Sequence, residues 1–123
     1  MSFLTDRKLA VGLGAAKHGA DHHWFMITSS IGLLVLIPLF IFTFGCALGG
    51  TYEEVLAYYS RPFPSIVAGL TIIVSMLHMM RGWQMMVEDY TSGFFRKFLV
   101  IGMNFFCYAL IAAGLFSLVK LAL

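Results

Sequence analysis

The residues best suited to chemistry in this chain are His78, Arg81, Asp89 and Tyr90, all within one stretch of the sequence. His78 and Arg81 lie well inside an apolar run that opens at Pro62-Phe63-Pro64 and stays uncharged until Arg81. An ionisable side chain at bilayer depth costs roughly 2.5–3.5 kcal/mol on insertion scales, so it faces protein, a ligand or water. At about 100° per residue, Thr71, Ser75, His78, Gly82, Met85 and Asp89 share one stripe, with Arg81 at its edge. Gly69, Ile73, Met76, Met80 and Val87 occupy the opposite, apolar face. Gly82, one turn after the histidine, leaves room for something broad beside the imidazole, and a porphyrin fits that room. Arg81 then stands where a haem propionate wants a cation. The competing reading makes His78 an interhelical hydrogen-bonding group, because polar side chains serve as packing glue in membranes. Met76, Met79, Met80, Met85 and Met86 offer thioethers for a His/Met haem, but read more simply as gap fillers and lipid-facing bulk.

Asp89 and Tyr90 close the same run together with Glu88. Acidic groups gain nothing from the dipole at a helix C-terminus, so they either solvate the helix end or belong to a polar site. Tyr90 lies at the level of an interfacial aromatic belt. A phenol beside a carboxylate is equally able to donate to a quinone carbonyl and to help deliver protons. His18, His22 and His23 cluster with Asp21 and Trp24 further upstream. Adjacent residues project in different directions, so this group reads as an interfacial patch, with Trp24 as its anchor, rather than as a metal site. Cys46 and Cys107 carry no metal or disulfide spacing and read as packing residues.

The elements that hold these residues follow from composition. Of 123 residues, 60% are apolar and only 11% charged, and the mean hydropathy is +0.89. That balance excludes an ordinary soluble domain. The net charge of +2, with no basic tract, gives no reason to expect nucleic acid. Three apolar stretches are long enough to cross a bilayer, at about 25–49, 64–89 and 98–119. The expected fold is therefore an all-α integral membrane protein with three transmembrane helices. Pro38 falls inside the first, where bilayer helices tolerate it, and Pro62 with Pro64 sets the start of the second. Residues 1–23 read as a cytoplasmic arm rather than a cleaved signal peptide, and 24–123 as the membrane region of a single domain. Within the arm, Thr5-Asp6 caps a turn of helix that Gly12 and Gly14 break. Arg7, Lys8, Lys17, Arg96 and Lys97 lie on one side of the spans, against Arg61 and Lys120 on the other. That excess of basic residues puts the N-terminus and the second loop in the cytoplasm and the C-terminus in the periplasm.

These pieces together resemble the hydrophobic membrane-anchor subunit of succinate dehydrogenase, the smaller of the two anchor chains of respiratory complex II. The most specific part is His78-Met-Met-Arg-Gly-Trp-Gln-Met-Met-Val-Glu-Asp89-Tyr90, similar to the family's His-x10-Asp-Tyr signature. Gly19-Ala-Asp-His-His23-Trp24 is similar to its Gly-x-x-His-Trp entry into the first span. Tyr52 to Glu54 and Arg61 to Pro64 also resemble bacterial members. The resemblance implies that His78 is one axial ligand of a b-type haem, with the other ligand from a companion cytochrome b anchor subunit, so that this chain is half of a two-chain bundle. It implies that Asp89 and Tyr90 line a ubiquinone pocket near the iron–sulfur subunit. FAD and the iron–sulfur clusters would lie in the flavoprotein and iron–sulfur partners, since this chain has no dinucleotide fingerprint and no cysteine cluster. The implied location is the bacterial inner membrane, with the mitochondrial inner membrane as the alternative. Many members follow His-Trp with a Gln-Arg pair, whereas this chain reads Phe25-Met26-Ile27-Thr28. Any contact made by that arginine must come here from Arg81, from another chain, or be missing. Ser29 and Ser30 are polar residues near that level with no role assigned by the sequence. A cofactor-free structural anchor and the anchor of a fumarate reductase are the alternatives, while a transporter is disfavoured because no inverted repeat is visible.

Overall fold

A computed structural model describes residues 3–12, 14 and 18–123, and its regular structure is entirely helical. Lys17, counted above toward orientation, lies outside the described residues. Helix α1 spans Asp6–Val11, capped by the Thr5 hydroxyl accepting from the Lys8 amide at 3.2 Å and closed at Gly12. Three long helices follow: α2 (Gly19–Ala47), α4 (Pro62–Tyr90) and α5 (Gly93–Ala122). Each is long and apolar enough to cross a membrane. Pro38 is carried within α2 without ending it, and α4 starts at Pro62 as the proline pair requires.

Two boundaries differ from the hydropathy reading. The first long helix begins at Gly19, so Asp21, His22 and His23 form its opening turns ahead of the apolar run from 25. Asp21 in the first turn complements the helix dipole and supports this start. The loop after the first span contains an additional short helix, α3 (Tyr52–Tyr59). A capping box nucleates it: the Glu54 carboxylate accepts from the Thr51 amide at 2.8 Å, while the Thr51 hydroxyl accepts from the Glu54 amide. These hydrogen bonds hold the Glu54 carboxyl below its ordinary range.

Helix α4 is the middle of the row. It packs against α2 on one side and α5 on the other, the backbones of α2 and α5 make no close approach among the described residues, and α3 closes one end. The α4–α5 connection is only Thr91-Ser92, and it reverses through Gly93 at φ 66°, a left-handed conformation that suits glycine. Arg96 fixes this reversal by donating from Nε at 2.7 Å, and from Nη2, to the Thr91 carbonyl. A cation on carbonyls just past a helix C-terminus is electrostatically favourable.

Small residues explain why α4 is central. Gly69 lies against Leu115 and Leu118 of α5, and Gly114 of α5 receives the Ile72 side chain. On the other side, Val74 meets Gly32, His78 meets Ser29, and Gly82 meets Met26, an antiparallel register down one face of α2. In lipid such close approaches drive association, because hydrocarbon outside competes equally for apolar surface. A Cβ on Gly114 would sit 3.0 Å from Ile72 Cδ1 and 3.3 Å from its Cγ2. Gly114→Val is therefore expected to destabilise the α4–α5 pair by about 1–3 kcal/mol, the usual cost of overpacking. Equilibrium denaturation in detergent checks this, and parent-level stability would deny the close approach.

The core is sparse. Val67, Ala68, Met80 and Val87 of α4 and Cys107 of α5 are buried, so Met80 is a gap filler inside the chain and not lipid-facing. Leu34, Phe42, Phe105 and Phe116 are each more than 70% exposed. Such surface is stable only against lipid tails or another membrane chain.

Candidate functional site

His78 is at mid-depth in α4, about 24 Å along the axis from Pro62 and about 18 Å from Tyr90 at 1.5 Å per residue. The ring is half-buried, and its Nδ1 is 2.7 Å from the Ser29 hydroxyl of α2. Among the described residues, Nε2 has no hydrogen-bond partner. The interhelical bond expected of a packing histidine is thus present, but it uses one ring nitrogen and leaves the other.

The space beside Gly82 is not open. The Met26 side chain reaches it, 3.7 Å from where a Cβ would stand. The opening next to the imidazole runs along α2 instead, as a cavity of about 420 Å³ lined by His78 with Ser30, Leu33, Leu34, Ile37 and Pro38. Apart from Ser30 and the imidazole its walls are apolar. That suits a flat hydrophobic group with one atom in need of a nitrogen ligand.

Arg81 lies one turn nearer the N-terminal end of α2. Its guanidinium carbon is 5.6 Å from the centre of the Phe25 ring, a cation–π distance. Among the described residues it forms no ion pair, and it borders a second cavity of about 450 Å³ with His18, Asp21, His22 and Phe25. The sequence reading left His18 and His22 in an interfacial patch. Placing the start of α2 at Gly19 brings them beside Arg81, together with the Asp21 carboxylate.

Asp89 and Tyr90 are not drawn into these cavities. Both are exposed at the end of α4, Tyr90 by 85%, and among the described residues neither side chain has a hydrogen bond. Glu88 beside them accepts from Gln84 Nε2 at 2.8 Å. The arginine that restrains this end, Arg96, counted in the sequence only as a topological charge. The chain therefore brings His78 and Ser29 together at the α2–α4 contact, places Arg81 one turn away at a second cavity, and leaves Asp89 and Tyr90 on a separate, open surface. Ser29 is the residue that sequence reasoning left without a role.

Three bilayer-length helices in a row, with a hydrogen-bonded histidine halfway along the middle one, define a small multi-pass helical membrane protein. The chain belongs to the family of succinate dehydrogenase/fumarate reductase transmembrane subunits, whose model matches residues 2–119. It is 42% identical over 123 residues to the succinate dehydrogenase hydrophobic membrane anchor subunit of Paracoccus denitrificans, covering 100% of this chain and 95% of that protein. The proteins of the same description from Rickettsia conorii and Rickettsia bellii are each 31% identical, over 108 and 106 residues. Those matches cover 85% of this chain in both cases, and 85% and 84% of the relatives. No solved structure gives a significant match.

Proposed function

We propose that this chain anchors a succinate:quinone oxidoreductase in the bacterial inner membrane and supplies half of a haem b site and part of a ubiquinone site. The observation that carries the reading is His78: an imidazole halfway along a membrane-length helix, hydrogen-bonded at Nδ1, without a partner at Nε2 among the described residues, in a side chain that lines an apolar cavity. His78 would hold the haem iron, and a companion cytochrome b anchor subunit would supply a second ligand. When bound, the haem provides a one-electron store within the membrane. The apolar α2 wall excludes water from that store and Arg81 offsets the charge of a propionate. Asp89 and Tyr90 would form one wall of the quinone pocket, with Tyr90 donating a hydrogen bond to a quinone oxygen and Asp89 holding a proton nearby.

Succinate oxidation itself belongs to the flavoprotein and iron–sulfur subunits, docked on the cytoplasmic side with the N-terminus and the α4–α5 turn. The antiparallel order of α2, α4 and α5 supports that arrangement, because it puts Arg96 and Lys97 at the same end of the bundle as the start of α2. The exposed apolar faces of α2 and α5 then meet the companion anchor and lipid. The missing family arginine near Thr28 has a substitute in Arg81, which reaches the same level of α2 from the neighbouring helix.

Arg81→Leu tests this. The assembled complex should keep its haem but show a shifted midpoint potential and faster haem loss, because a compensating charge near a propionate is gone. Subunit composition should not change. Parent-level potential and retention would mean that Arg81 snorkels to lipid headgroups.

A further inference from the structure

Ser29 is only 8% exposed, and its hydroxyl has three neighbours: His78 Nδ1 at 2.7 Å, the Phe25 carbonyl at 2.7 Å and the Met26 carbonyl at 3.2 Å. A serine hydroxyl has one proton to give and two lone pairs to accept with. Carbonyls only accept, and a serine within a helix commonly gives its proton to the carbonyl four residues back, which here is Phe25. Toward His78 the hydroxyl then presents a lone pair. Two lone pairs facing each other at 2.7 Å would repel, so Nδ1 brings the proton to this contact. A neutral imidazole protonated on Nδ1 has its free lone pair on Nε2.

We propose that Ser29 is a positioning residue for the haem ligand: it selects the His78 tautomer whose Nε2 can bind iron, and it fixes the ring plane. The inference rests on the haem reading above and adds a residue to it. In the reverse arrangement, Ser29 would donate to Nδ1, Nε2 would carry the proton, and iron could not bind there. Metal-bound histidines generally donate their second ring N–H to an acceptor, which orients the ring and raises its basicity. Phe25 joins the two halves of the site. Its carbonyl takes the Ser29 proton, while its ring lies under the Arg81 guanidinium. One turn of α2 thereby holds both the ligand and the cation expected at a propionate.

The test is made on the assembled complex, comparing the parent with Ser29→Ala and Ser29→Thr. In Ser29→Ala the imidazole loses its acceptor and becomes a weaker donor to ferric iron. The haem midpoint potential should rise, the low-spin g-values should move, and haem loss should be about tenfold faster. Ser29→Thr keeps the hydroxyl and should restore all three. Unchanged potential and g-values in Ser29→Ala would overturn the proposal, and so would Ser29→Thr failing to restore them. If Ser29→Ala does not assemble, Ser29→Cys carries the test with a poor acceptor of similar size: a raised potential supports the proposal and a parent-like one overturns it. Absence of haem from the parent complex would instead overturn the haem reading beneath it.

Discussion

Tyr90→Phe should lower electron transfer from succinate to quinone about ten- to a hundredfold in the assembled complex. Transfer from succinate to a water-soluble dye that bypasses the membrane site should stay unchanged. The phenylalanine keeps the ring and its contacts and removes only the hydroxyl donor. A hydrogen bond to an oxygen that develops charge during reduction contributes roughly 1.5–3 kcal/mol, which converts to that range of rates. Tyr90 lies about 18 Å along α4 from His78, at the end nearest the proposed iron–sulfur subunit. The rate of quinone reduction and the dye rate, measured on one preparation, decide the matter. Parent-level rates in both would make Tyr90 an interfacial belt residue. A joint collapse would place the defect in assembly and contradict the assignment.

His78→Ala should abolish the low-spin b spectrum, or replace it with a high-spin or substituted signature, because one axial ligand is gone. Assembly with the soluble subunits should persist, since the α2–α4 contact also rests on Gly32 against Val74 and Gly82 against Met26. The substitution also leaves Ser29 without its interhelical partner. The buried hydroxyl is still satisfied by the Phe25 carbonyl, so the cost to folding is small. Optical and electron paramagnetic resonance spectra of the purified variant check this. A parent-like low-spin spectrum would remove His78 as a ligand and leave it as packing glue.

The three spans were legible because hydropathy needs only consecutive apolar residues, and Pro62 and Gly93 punctuate the connections. The start of α2 was less so: Asp21, His22 and His23 add helix without adding hydropathy. Helix α3 is too short to show a periodic pattern, although Thr51 and Glu54 at capping-box spacing signal its start. His78 and Arg81 stood out because charge is rare at membrane depth. Ser29 did not, because serine inserts at little cost and its partner is set by helix register. Its depth was still readable. Ser29 lies ten residues from the start of α2 and His78 twelve from the end of α4, about 15 and 18 Å, so antiparallel neighbours bring them level. The room beside Gly82 is bordered by the end of the Met26 side chain, a neighbour that only the placement of α2 reveals. Asp89 and Tyr90 lie on an open surface, and under the proposed function the other walls of the pocket would come from other chains.

The central claim is that this chain holds one side of a haem through His78. The most direct measurement is a reduced-minus-oxidised difference spectrum of the complex purified with this chain and its companion anchor, with succinate as reductant. A b-type band in the parent, lost in His78→Ala at equal subunit content, is the predicted result. A parent complex that passes electrons from succinate to quinone without any b-type band would contradict it.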